Sequence, residues 1–141
     1  MAKYRTLFLE ESAEHLSEIS AALLALEKDL AAAGPIDVAF RMAHSIKSMA
    51  ASLEYDSVTE LAHALEDRME RVRSAGRVES AAELGPLFAG LEGLEAMVET
   101  VRQTGESPPA QPDLVADVRG VSAEAPPPPA ETEDPKKKLL S

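Results

Sequence analysis

Apolar residues recur at helical spacing along the first hundred positions. Leu9, Leu16, Leu23 and Leu30 interleave with Ser12, Ile19 and Leu26 at heptad intervals, which predicts one long amphipathic helix with a continuous seam. The run "AAGP" predicts its end, because Gly34 suits a left-handed cap and Pro35 cannot continue a helix. A second helix can start at Asp37, an N-cap residue type, with Ala39, Met42, Ala43, Ile46, Met49, Ala50 and Leu53 on its core face. "SVTE", Ser57 to Glu60, has the form of a capping box and predicts a third helix. Its core face is Val58, Leu61, Ala62, Leu65, Met69 and Val72, and Gly76 fits its end. A fourth follows from Leu84, Leu87, Leu91, Leu94, Val98 and Val101, with Phe88 beside them. "SAAE" at Ser80 is another capping box, whereas Pro86 would lack a bond in mid-helix. A short turn from Ser80 and a helix from Gly85 or Pro86 reconcile the two.

Four amphipathic helices with short connections predict an all-α fold, an antiparallel four-helix bundle over residues 1–104. The remainder, 105–141, differs in kind. Eight of the ten prolines follow Gly105, in runs such as "ESPPAQP" and "APPPPAETEDP", and large apolar residues are few. Such a stretch cannot bury enough surface to offset its ordering entropy, which predicts a Pro-rich, acidic, mostly disordered linker. "DLVADVRG" is the exception: residues 113–119 can form a short fifth helix that docks on the bundle.

Composition narrows the function. Aromatics make up 4% of the chain, so the core is aliphatic, which suits packed helices. A net charge of -11 makes nucleic acid a poor partner. With no cysteine, thiol chemistry and disulfides are excluded. The first residues carry no apolar signal-peptide core, and no apolar run is long enough to span a membrane, so a cytoplasmic protein is the expectation. A glycine-rich phosphate loop and a Gly-x-Ser-x-Gly elbow are both missing.

The stretch "MAHSIKSMAASLEY" carries the candidate chemistry. With each residue turning about 100°, His44 lies roughly 160° from the core centre at Ile46 and points outward. Lys47, Ser48 and Ala51 follow at +3, +4 and +7, on the same side. A neutral imidazole is a nucleophile near physiological pH, a lysine one turn on can steady phosphoryl oxygens, and small neighbours admit a partner's active site. That combination describes a phosphohistidine carrier whose partners bring the nucleotide. On the third helix, "AHALED" sets His63 and Glu66 away from the core centre at Leu65. A carboxylate there can accept from one ring nitrogen of His44, fixing the tautomer and freeing the other nitrogen. The plainer readings are that His44 and Lys47 belong to an ordinary solvated face and that Glu66 pairs with charges near Arg68 or with water. His15, among Glu11, Glu14 and Glu18, has no evident role.

Two other classes compete. A di-metal carboxylate bundle needs two inward Glu-x-x-His motifs and two further glutamates, but "ELAH", Glu60 to His63, stands alone and its histidine projects outward. A helical interaction module without covalent chemistry fits an acidic bundle with a Pro-rich tail, and predicts binding indifferent to His44.

The stretch "FRMAHSIKSMAASLEYDSVTELAHALEDRME", Phe40 to Glu70, resembles the histidine phosphotransfer domain at the N-terminus of CheA-type chemotaxis kinases. "LFLEESAEHLSEISAALLALEKD" looks like that family's first helix, and the tail looks like the linker that follows the domain. The resemblance implies that His44 is the phosphorylated residue, that Lys47 assists transfer, that Glu66 holds and activates the imidazole, and that His63 is a neighbouring polar contact. It implies a CheA-type kinase core as donor, holding ATP and acting in trans, and a CheY- or CheB-type receiver domain as acceptor, supplying an aspartate and Mg²⁺. The domain itself would bind no cofactor and no metal, and would be no complete enzyme. Phe40, Ser48, Ala51 and the outer side of the first helix are the expected docking patch. The family usually carries glycine where this chain has Ser48, and again near Ala51 and Glu54. Ser48 and Ala51 preserve access, whereas Met49 and Glu54 bear on which receiver fits.

Overall fold

The structure, a computed structural model, describes residues 2–120. Five α-helices follow in order: α1 Ala2–Lys28, α2 Ala33–Ser52, α3 Asp56–Ala75, α4 Leu84–Thr104 and α5 Pro112–Arg119, with one 3-10 turn at Ala81–Glu83. No strand occurs among the described residues. The first four helices close a ring in which α1 packs on α2, α2 on α3, α3 on α4 and α4 on α1. The predicted bundle is thus the observed one. Among the described residues no helix is long and apolar enough to cross a membrane.

The core follows the predicted faces. Leu16, Ile19, Leu23 and Leu26 of α1 meet Ala39, Ala43, Ile46 and Ala50 of α2, Leu61, Leu65 and Met69 of α3, and Leu87, Leu91, Leu94 and Val98 of α4 in one continuous cluster. Each leucine, isoleucine, valine and methionine among them contributes about 1.5–3 kcal/mol when fully withdrawn from water, and the small alanines of α2 let the helices come close. The α1 seam shifts at its ends, where Leu9 and Leu30 are only partly covered and Phe8 is buried instead. Phe8 meets Tyr55 edge to face, ring centroids 5.2 Å apart, and this contact pins the start of α1 to the α2–α3 turn.

Several helix ends differ from the sequence expectation. Helix α1 stops at Lys28, and the Asp29 carboxylate accepts from the Ala31 amide at 3.0 Å. Gly34 and Pro35, expected to end α1, instead occupy the first turn of α2, where a proline loses no internal bond. Asp37 therefore lies inside α2 rather than capping it, and pairs with Arg41 at 2.7 Å. Helix α3 begins at Asp56, so Ser57 is not its cap; the Ser57 hydroxyl turns inward and donates to the Pro108 carbonyl at 2.6 Å. Ser80 makes no side-chain cap either, but a short turn and then a helix from Leu84 do follow it, and Pro86 sits harmlessly in the first turn of α4. Gly76 ends α3 in the left-handed region, φ 83°, as its position predicts.

The end of α2 is the most instructive. The Glu54 amide bonds to the Ala51 carbonyl and the Tyr55 amide to the Ala50 carbonyl, the paired bonds of a Schellman turn. The turn requires a left-handed residue, and Glu54 supplies it with φ 63°. This is the region where the resemblance predicts glycine, and a side chain there costs about 1 kcal/mol.

The packed body extends beyond 104. Residues 105–111 lead into α5, which covers α3 and α4 with buried Val115 and Val118. Residues 121–141, where the disordered linker is expected, lie outside the described residues.

Candidate functional site

Helices α2 and α3 run antiparallel, a register fixed by Phe40 against Arg73 at one end and His44 and Lys47 against Glu66 further along. His44 stands on the outer side of α2 with 54% of its side chain exposed, whereas Glu66 is only 12% exposed. Glu66 Oε2 lies 2.7 Å from His44 Nδ1, and Glu66 Oε1 lies 2.7 Å from Lys47 Nζ. One carboxylate thus serves both groups that the sequence placed three residues apart.

The electrostatics follow from this geometry. Burial acts to raise the Glu66 pKa, but the hydrogen bonds from Lys47 and His44, together with their charges, outweigh it and hold the carboxyl below its ordinary value. Glu66 is therefore ionised at neutral pH and acts as an acceptor. Nδ1 must then carry the ring proton, which leaves the lone pair on Nε2. Nε2 has no partner among the described residues. A half-exposed imidazole with a fixed tautomer and an anchored cation beside it is equipped for nucleophilic attack on phosphorus.

The other expected site residues divide. Ser48 and Ala51 are exposed on the His44 side, leaving the approach low. Phe40 is half-buried one turn before His44, and the Arg73 guanidinium stacks over its ring, 4.0 Å from the centroid. His63 Nε2 faces Asp67 on its own helix at 3.5 Å, and Asp67 also pairs with Arg119 of α5 at 3.2 Å. Glu66 does not pair near Arg68, whose partners are Glu83 and the Val118 carbonyl. The Lys47–Glu66 pair and the Phe40–Arg73 stack were not anticipated from sequence. Among the described residues no three histidines, cysteines or carboxylates gather where a metal ion could sit.

Comparison with known proteins agrees with the fold. The family model for the Hpt domain matches residues 3–104. The chemotaxis protein CheA of Bacillus subtilis is 34% identical over 127 residues, covering 89% of this chain and 19% of that protein. CheA of Halobacterium salinarum is 30% identical over 106 residues, covering 75% of this chain and 16% of that protein. The chain thus spans less than a fifth of the length of these curated relatives. Among solved structures, the phosphorylated P1 domain of CheA3 in complex with CheY6 from R. sphaeroides superposes with a TM-score of 0.77 at 26% identity, covering 84% of this chain and 94% of that one. The CheA phosphotransferase domain from Thermotoga maritima gives a TM-score of 0.66 at 30% identity, covering 71% and 95%. A matched bundle, a histidine borne outward on its second helix and a family model spanning most of the sequence lead to one assignment: the chain belongs to the Hpt domain family.

Proposed function

We propose that the chain is a phosphohistidine carrier of a bacterial two-component chemotaxis pathway, working in the cytoplasm between a CheA-type kinase core and a CheY- or CheB-type receiver domain. The observation that carries this reading is the sharing of Glu66 between His44 and Lys47, with His44 Nε2 left open. ATP belongs to the kinase core and Mg²⁺ to the receiver, so this domain contributes only the histidine and its supports. The solved complex of a related P1 domain with a CheY protein supports the receiver as partner.

His44 Nε2 attacks the γ-phosphorus of ATP. The N–P bond forms, the P–O bond to ADP breaks, and ADP leaves with that electron pair. The ring becomes cationic while Nδ1 keeps its proton, and the Glu66 carboxylate 2.7 Å away offsets the charge. Lys47 stays anchored by Glu66, which fixes its ammonium one turn from the ring, where phosphoryl oxygens arrive. In the second transfer a receiver aspartate oxygen attacks the same phosphorus, the N–P bond breaks, and its electron pair returns to Nε2. Exposed Ser48 and Ala51 let both partners come close.

The test is labelling by a CheA-type kinase core and ATP, comparing wild type with His44→Gln. Acid-labile, base-stable label on wild type alone, discharged by a receiver, is the expected result. Label retained on a folded His44→Gln chain would overturn the assignment, and binding to partners indifferent to His44 would return the domain to a plain interaction module.

A further inference from the structure

Three cations stand near His44, and their directions differ. Helical side chains lean toward the N-terminus of their own helix. Lys47, three residues after His44, leans back toward the ring and ends on Glu66. Arg41, three residues before His44, leans away and ends on Asp37 at 2.7 Å. Arg73 comes from the antiparallel helix, so its lean carries it toward Glu66 and hence toward His44. It lies seven residues beyond Glu66, on the same side of α3, and its NH2 reaches Glu70 at 3.2 Å, between the two.

Arg73 is also held loosely. Its second carboxylate, Asp37, is 3.5 Å away, and Arg73 and both acidic partners are 41–50% exposed. Such pairs are worth little against solvent. What positions the guanidinium is the Phe40 face, and Phe40 lies one turn, about 6 Å, from His44 on the same side of α2. Unphosphorylated His44 gives a second cation nothing to bind. A phosphoryl group on Nε2 brings three strong acceptor oxygens and about 2 negative charges, which a planar guanidinium fork matches better than it matches a split pair of distant carboxylates.

Resting on the phosphocarrier reading, we propose that Arg73, parked on Phe40, is the second cation of the phosphorylated state: its guanidinium leaves Asp37 and Glu70 and takes the phosphoryl oxygens on His44. Lys47 and Arg73 then grip the group from opposite ends of the α2–α3 groove. No bond is made or broken in this step; the charge pairing alone changes. The clamp stabilises the phosphorylated form over the free one and confines the phosphoryl group before a receiver arrives.

The experiment is a ³¹P NMR pH titration of the chain labelled by a CheA-type kinase core and ATP. A cation in contact with the phosphoryl group favours its dianion, so Arg73→Ala is expected to raise the titration midpoint by about 0.7 pH unit or more, the size of one charge at some 4 Å in water. Arg73→Lys should fall between wild type and Arg73→Ala, and Arg41→Ala should move the midpoint less. Far-ultraviolet circular dichroism checks that the variants keep their helices. An unchanged midpoint in Arg73→Ala, or a larger change in Arg41→Ala, overturns the clamp while leaving the carrier reading intact. Failure of wild type to label, or label on His44→Gln, overturns both together.

Discussion

Helix α3 has two working sides, and they are built differently. Toward α2 it presents Glu66, Glu70 and Arg73, all polar, with Glu70 and Arg73 open to solvent and Glu66 set back beneath His44 and Lys47. Toward α4, α5 and the segment between them it presents Ser57, Leu61 and Arg68, sealed by contact. The seal depends on missing side chains. A Cβ at Gly90 would come within 2.9 Å of Val118, and one at Gly93 within 2.5 Å of Leu114 and 3.0 Å of Leu61. Arg68 then closes the end of α5 by donating to the Val118 carbonyl at 2.9 Å. The difference teaches a division of labour: the sealed side fixes where α3 lies, and the open side uses that placement to hold a carboxylate in reach of two cations.

This contrast predicts that the two sides fail separately. The largest effect belongs to the open side. Glu66→Gln removes the charge that sets the His44 tautomer and anchors Lys47, so labelling by a kinase core should slow by about 10- to 100-fold, with the melting temperature little changed. A slowed reaction accompanied by an equal loss of stability would mean that Glu66 is structural. Next comes the sealed side. Gly90→Leu drives a side chain into the stiff, buried Val118 and should cost about 1–3 kcal/mol in urea unfolding, net of its better helix propensity, while labelling changes little. If that variant labels as slowly as Glu66→Gln, the two sides are coupled and the division is wrong.

A smaller effect sharpens the boundary between them. Glu54→Gly relieves the left-handed backbone at the end of α2 and should stabilise the fold by about 1 kcal/mol, read as a higher urea midpoint, with labelling unaltered. The smallest concerns pH. Glu66 has a lowered pKa in the folded state, so it stabilises the fold at pH above its unfolded value, near the ordinary 4.5, and that contribution is lost as pH falls through the folded value. The stability gap between wild type and Glu66→Gln should therefore be larger at pH 7 than at pH 3, and a gap independent of pH would detach Glu66 from its two cations.

Much of the open side was legible in the sequence because it depends on intervals within one helix. The placement of His44, Lys47, Ser48 and Ala51 on one side needs only the helical turn. The Lys47–Glu66 pair and the Phe40–Arg73 stack need the register of α2 against α3, which no interval within either helix encodes. Glu66 as a partner for His44 was read from the sequence, and the Asp67 partner of His63 was not. On the sealed side, "DLVADVRG" showed its apolar spacing, yet Gly90 and Gly93 gave no signal, since a glycine inside a helix has no periodicity of its own. The capping boxes misled for a related reason. Ser57 fits the pattern, but its hydroxyl donates to the Pro108 carbonyl 51 residues away and does not cap the amides of its own helix.

The shared carboxylate has one more consequence. With a neutral imidazole, His44, Glu66 and Lys47 sum to zero formal charge, within a chain whose net charge is -11. The proposed nucleophile therefore exerts little long-range pull on an approaching protein, and diffusional encounter is steered by the acidic charge of the chain as a whole. Added salt should alter how fast partners find this domain and leave the transfer within the encounter complex almost untouched, because a 2.7 Å contact lies far inside the screening length.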